Sequence, residues 1–213
     1  MHKYELILFD LDGTVADTDE MIVQTMNILY DKYRNGRRTP REEIYYFSGP
    51  PIYETLQKEF PGQDMEFLFN EFVKESVKLY PKVVTTYPHC KETILNLKKR
   101  GYKIGIVTNK MHNATILCLG LLDLDNLFDC IVCYDDVSHP KPEAEPILKS
   151  MEIAGVYDLN KVLYIGDNKI DLDTANSAKV DCALVTWGPR VLDPNLKPTL
   201  KISSYEDLER KLA

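Results

Sequence analysis

The stretch from Tyr4 to Asp19, YELILFDLDGTVADTD, decides the fold. Five of the six residues from Leu6 to Leu11 are large and apolar, and the exception is Asp10. A run of that kind, without clean alternation, predicts a central strand buried on both faces. It delivers Asp10, Asp12, Gly13 and Thr14 to its carboxyl end, where open α/β sheets keep their ligands. Two carboxylates one residue apart, followed by a glycine that lets backbone approach a ligand, suit a hard metal ion and a phosphoryl group. A polar strand-to-helix turn with a capping Asp is the plainer alternative.

Beyond Thr14 the pattern becomes helical. Asp17 and Glu20 have the spacing of a capping box, and Ile22, Met26, Leu29 and Tyr33 then recur at helical intervals. Asn35-Gly36 ends that helix, and further helices are predicted over 42–47, 52–60 and 64–80. The last carries Leu68, Phe72, Val73, Val77 and Tyr80 on one face. The turn Ser48-Gly49-Pro50-Pro51 separates the second and third. Residues 15–84 therefore read as an all-helical domain without strand alternation, inserted after the first strand. From Pro88 onward, strands near 102–107, 128–134, 161–165, 181–186 and 199–203 alternate with helices, which is the signature of a doubly wound parallel sheet. The expected fold class is α/β, with a Rossmann-like core formed by residues 1–14 and 85–213.

The 213 residues, 44% hydrophobic and 28% charged, suit one large domain or a core with a small insertion. A net charge of -7 gives no global attraction to nucleic acid or to an anionic membrane. Met1-His2-Lys3 runs straight into the first strand without a secretory leader, no apolar run reaches membrane-spanning length, and the five cysteines are an odd count. These features imply a reducing, cytoplasmic setting. Cys130 and Cys133 form a C-x-x-C inside a predicted strand. Residues three apart on a strand face opposite sides, so core packing is expected rather than a shared metal.

Connections between parallel strands place every carboxyl strand end on one rim. That rim is expected to collect Asp10, Asp12, Thr108, Asn109, Lys141, Asp167 and Asp171. On this reading Asp10 attacks phosphorus as nucleophile, and Asp12 acts as general acid and then base. Magnesium (Mg2+) would be held by the Asp10 carboxylate, the Asp12 backbone carbonyl and Asp167. The Thr108 hydroxyl, the Asn109 backbone N–H and Lys141 would take phosphate oxygens, and Asp171 would orient Lys141 or metal waters. Each residue alone has an ordinary structural explanation. Their arrival at four matching strand ends is the stronger signal. Asp135-Asp136 is expected to serve a turn or cap, and His139 to be a loop residue.

Asp10-Leu11-Asp12-Gly13-Thr14, Val107-Thr108-Asn109-Lys110, Lys141-Pro142 and Gly166-Asp167-Asn168-Lys169-Ile170-Asp171 resemble, in order, the four motifs of the haloacid dehalogenase superfamily. The likeness spans the chain. It is nearest to the phosphoglycolate phosphatase group and its inorganic pyrophosphatase branch, through the Thr-Asn-Lys motif and the turn at Gly49. The resemblance implies a magnesium-dependent phosphohydrolase acting on a small phosphorylated metabolite, as a monomer or homodimer, with residues 15–84 as a helical cap. Asp12 favours phosphoryl over halide chemistry, and the absence of a His in the first cap helix disfavours sugar phosphomutase activity. No local pattern marks a cap lysine for Schiff-base chemistry. Gly49 and Pro50 are the expected specificity loop, since stiff Pro and permissive Gly hold backbone close to a ligand. The cluster Lys32, Arg34, Arg37, Arg38 and Arg41 is either a solvated helix end or a guide for a second anionic group. A non-catalytic phosphate-binding protein is the alternative of another class.

Overall fold

The computed structural model describes residues 3–213, so Met1 and His2 lie outside the described residues. The first strand, β1 (Leu6–Phe9), is buried along its whole length. Ile7 and Phe9 enter one hydrophobic core while Leu6 and Leu8 enter the other, which is why the run shows no polar alternation. Helix α1 (Asp19–Tyr33) follows a two-residue strand, β2 (Ala16–Asp17). The expected Asp17/Glu20 capping box is not formed: Thr18 is the N-cap and makes no side-chain cap bond. Glu20 instead bonds Gln24 and Arg41. Asn35 and Gly36 both adopt positive φ and end the helix.

Helices α2 (Arg41–Ile44), α3 (Ile52–Glu59) and α4 (Met65–Val83) complete the inserted helical segment. The Asp64 side chain caps α4 by accepting from the Phe67 N–H at 2.9 Å. Lys32 ties α1 to α4 through Glu71 at 3.0 Å and Glu75 at 2.8 Å. The segment is not purely helical, because β2 pairs antiparallel with β3 (Thr85–Thr86). Two residues per strand are too few to register as alternation in sequence. The ribbon joins the two points where the chain leaves and re-enters the sheet.

The remaining elements are α5 (Cys90–Lys99), β4 (Lys103–Val107), α6 (His112–Leu121), β5 (Cys130–Val132), α7 (Glu145–Ala154), β6 (Val162–Gly166), α8 (Lys169–Ala178), β7 (Asp181–Val185), β8 (Leu200–Ile202) and α9 (Tyr205–Lys211). Six strands form one parallel sheet in the order β5-β4-β1-β6-β7-β8. The strand order reverses about β1, so the Asp10 turn lies at the switch point where such sheets bind ligands. Among the described residues no helix is long and apolar enough to cross a membrane.

The five cysteines are buried and unpaired. Cys130 packs under Gly105, where a built Cβ would stand 2.3 Å from its Sγ, 2.8 Å from Leu8 Cδ2 and 3.1 Å from the Cys130 carbonyl. We expect Gly105→Ala to destabilise the protein by about 1–3 kcal/mol through overpacking. Urea denaturation checks this, and Cys130→Ala in the same chain should restore part of the loss. An unchanged midpoint for the single variant would contradict the packing described.

Candidate active site

Asp10 ends β1 with its carboxylate wholly enclosed. Its Oδ1 accepts from the Leu11 N–H at 2.7 Å and its Oδ2 lies 3.0 Å from Lys141 Nζ. Lys141 reaches the site from the loop before α7, and the Lys141–Pro142 bond is cis. Its ammonium also donates to Asp171 Oδ1 at 2.7 Å and to the Tyr164 hydroxyl at 3.1 Å. Burial pulls Lys141 toward the neutral form, but the Asp10 and Asp171 carboxylates more than offset it and hold its pKa above the ordinary lysine value. Burial pushes Asp10 up to about 7 against the attraction of Lys141.

Asp171 is fully engaged. Its Oδ1 takes Lys141 and Tyr164, while its Oδ2 takes the backbone N–H groups of Asp167 at 3.1 Å and Asn168 at 3.0 Å. It therefore fixes the β6–α8 turn and the lysine together. Asp12, half-buried, accepts from Thr18 Oγ1 at 2.8 Å and pairs with Lys110 Nζ at 3.0 Å through both oxygens. Thr108 is buried, and its Oγ1 accepts from the Lys110 N–H at 3.2 Å. The Asn109 amide is already committed: it donates to the carbonyls of Gly49 and Lys141 and accepts from the Lys141 N–H. The Asn109 side chain thus joins the inserted segment's turn to the Lys141 loop.

Asp167 differs from the other carboxylates. Both its oxygens are buried and neither makes a hydrogen bond. Arg190 Nη1 stands 2.7 Å from Oδ2 as an ion-pair partner, off the hydrogen-bonding direction. Burial raises the Asp167 pKa well above the carboxylate range, opposed by Arg190. Asp10, Asp167 and Asp171 offer oxygens within 4.8 Å of one another. Gly13, at φ +79°, closes the other side: a Cβ there would lie 2.2 Å from Asp167 Oδ2. The charge balance points the same way. Asp10, Asp12, Asp19, Asp167 and Asp171 share three cations, Lys110, Lys141 and Arg190, an imbalance that protons or a bound cation would relieve. Orphaned carboxylate oxygens, a glycine cradle and that imbalance all fit a hard divalent cation held by oxygen donors.

Sequence reasoning missed Arg190. It lies in the loop after β7, buried, and pairs with Asp19, Asp167 and the Ser48 hydroxyl. The residue next to it, Val191, exchanges two 3.1 Å hydrogen bonds with the Tyr46 hydroxyl. This loop therefore clasps the inserted helices to the sheet. Its place at a strand's carboxyl end on the same rim was the available signal. Tyr164 was missed because, inside β6, it reads as one more apolar strand residue.

Gly49 and Pro50 border the cavity between the helical segment and the sheet, together with Asp10, Asp12, Thr108 and Lys141. Gly49 is pressed against the β6–α8 turn, where a Cβ would meet Asn168 Nδ2 at 2.6 Å. The basic cluster does not border that cavity. Lys32, Arg34, Arg38 and Arg41 are each paired with a carboxylate, and Arg34 and Arg37 line a separate surface recess. His139 is exposed and bonds Glu145 at 2.8 Å. Asp136 accepts from the Cys133 N–H, and Asp135 from the His112 N–H, so both support turns.

The chain belongs to the haloacid dehalogenase-like hydrolase family, whose model matches residues 7–185. Its homologues make it an enzyme of the phosphatase kind. It is 33% identical over 210 residues to pyrophosphatase PpaX of Bacillus cereus (strain AH820), covering 97% of this chain and 95% of that protein. Pyrophosphatase PpaX of Bacillus velezensis is 35% identical over 206 residues, covering 94% and 88%. Among solved structures, a haloacid dehalogenase-like hydrolase from Bacteroides fragilis, itself assigned provisionally, aligns with TM-score 0.86 at 27% identity, covering 97% of this chain and 100% of that one. A predicted phosphoglycolate phosphatase from Haemophilus somnus 129pt aligns with TM-score 0.87 at 22% identity over the whole of both chains, which speaks for the fold alone.

Removing Arg190 leaves Asp19 and Asp167 buried without a cationic partner. Arg190→Met, which keeps most of the volume, should cost about 3–5 kcal/mol in metal-free protein. Chemical denaturation in the presence of a chelator measures it, and wild-type stability in that variant would show that the clasp carries no load.

Proposed function

We propose that this chain is a magnesium-dependent phosphohydrolase that cleaves a small phosphorylated metabolite through an aspartyl-phosphate on Asp10. The observation that carries this reading is the buried Asp10 carboxylate, paired with Lys141, clustered with the Asp167 and Asp171 oxygens and bordering the cavity between the helical segment and the sheet. Asp10, Asp167 and the Asp12 backbone carbonyl would hold the cation, which supplies positive charge that lets an anionic carboxylate approach an anionic phosphoryl group.

The steps at the chain's own atoms are as follows. An Asp10 oxygen forms a bond to phosphorus as the bond to the leaving oxygen breaks, and Asp12 gives that oxygen a proton. Asp12 then takes a proton from a water that attacks the same phosphorus, which frees inorganic phosphate and restores the Asp10 carboxylate. Lys141, fixed by Asp171 and Tyr164, offsets the charge that builds on the phosphoryl oxygens. Thr108 and the Asn109 backbone N–H stand on the rim to orient that group. Gly49 and Pro50, tied down through Asn109, form part of the wall around whatever the phosphate is attached to. A second reading, inorganic pyrophosphatase, is favoured by the 33–35% identity to proteins of that name.

Asp10→Asn should lower turnover by about 10⁴-fold or more while the chain still folds, as circular dichroism would show. Measurable steady-state hydrolysis in that variant would remove Asp10 as nucleophile. Magnesium at a hundredfold excess over its Kd should raise the Tm of metal-free protein by about 5–10 °C. Asp167→Asn should abolish most of that shift, and an unaltered shift would exclude Asp167 as a ligand.

A further inference from the structure

The cavity above Asp10, about 240 Å³, has two unlike walls. Its sheet side carries the polar groups described above. Its other wall comes from residues 21–80, and not one lysine, arginine, histidine, asparagine or glutamine among them faces the space. Ile22, Phe47, Ile52, Phe69, Phe72 and Val77 dominate it. The few polar groups there are already used. The Ser48 hydroxyl is bonded to Arg190, and Ser76 donates to the Val73 carbonyl at 3.0 Å. Tyr80 sits with its ring 5.3 Å from Lys110 Nζ, and Lys110 is itself committed to Asp12.

Three large apolar side chains that are otherwise oddly exposed also border this cavity: Val73 at 39%, Val77 at 46% and Leu117 at 37%. Apolar surface gathered at the mouth of a cleft is a ligand-contacting feature rather than random exposure. Of the other charged residues that line the cavity, Lys110 and Lys141 are already paired with Asp12 and Asp10, and Asp135 is an acid. A second anionic group carried by a substrate would therefore lose its water against hydrocarbon and meet a negative neighbour, with no unpaired cation among the lining residues to compensate.

We infer that the substrate is a phosphomonoester whose leaving group is an uncharged, largely hydrocarbon alcohol, and that pyrophosphate and carboxylated esters are poor substrates. This rests on the phosphohydrolase reading and deepens it. The reaction is the one written above, with the leaving alkoxide protonated by Asp12. The aliphatic and aromatic wall contributes by removing the alcohol's apolar surface from water, at a rate set by its length.

The test uses wild-type enzyme with magnesium and measures phosphate release from n-alkyl phosphates, ethyl through hexyl, beside pyrophosphate and phosphoglycolate. The alkyl leaving groups are near equal in basicity, so intrinsic reactivity does not mask the wall. The proposal predicts that kcat/KM climbs about fourfold per methylene until the cavity is filled. Hexyl phosphate should exceed both pyrophosphate and phosphoglycolate. A flat alkyl series, or either anionic ester turning over faster than hexyl phosphate, would overturn the inference while leaving the phosphohydrolase reading intact. Release from none of them would overturn both. A single variant isolates the wall. Val77 is half-exposed on α4, so Val77→Lys adds a cation to the cavity without opening the core, and should raise the pyrophosphate-to-hexyl ratio about tenfold. An unchanged ratio would contradict the proposal.

Discussion

Lys141 is sealed among Asp10, Asp171 and Tyr164, and the arrangement of the whole rim follows from that enclosure. An ammonium taken out of water is costly unless carboxylates surround it, and two carboxylates brought together are costly without the ammonium. Each group is thus tolerable only in the presence of the others. Asp171 passes the constraint on, because its second oxygen holds the backbone that presents Asp167. The Asn109 amide passes it in the other direction, from the Lys141 backbone to the carbonyl of Gly49. One buried charge cluster therefore sets the positions of Asp10, Asp167 and the turn above them.

The helical segment shares one hydrophobic core with the sheet, and polar contacts join it to this cluster at the rim. Asn109 holds Gly49, Arg190 holds Ser48 and Asp19, and Tyr46 is bonded to Val191. Arg190 is central because it contacts both the segment and Asp167. The charge state of the Asp167 corner and the seating of the segment are consequently linked through one guanidinium. Such a link would suit the proposed mechanism, in which water is kept from an acyl-phosphate.

The sheet was legible because β1 is hydrophobic on both faces and because strand-like apolar runs alternate with helical spacing after Pro88. The rim residues were legible for the same reason: a parallel sheet puts all its carboxyl ends together, so local motifs become neighbours without any knowledge of loops. What stayed hidden lies in contacts that sequence spacing does not encode. Arg190 sits 171 residues from Asp19, in a loop with no periodicity. The β2–β3 ribbon is too short to alternate. The capping box at Asp17 and Glu20 had the right letters, but β2 pulls Asp17 into extended backbone and Thr18 becomes the cap. Leu68 and Tyr80 of α4 are buried as their spacing implied, whereas Val73 and Val77 on the same stripe face the cavity instead of a core. Helical periodicity marks an apolar face without saying whether protein or ligand covers it.

On the proposed mechanism, Asp10 carries the phosphoryl group between the two steps. A single turnover with a phosphorus-labelled substrate and magnesium, quenched in acid and mapped by mass spectrometry, tests it most directly. A hydroxylamine-labile label is expected on the peptide containing Asp10, absent without substrate. Label on another residue, or efficient phosphate release with no labelled protein at any quench time, would contradict it.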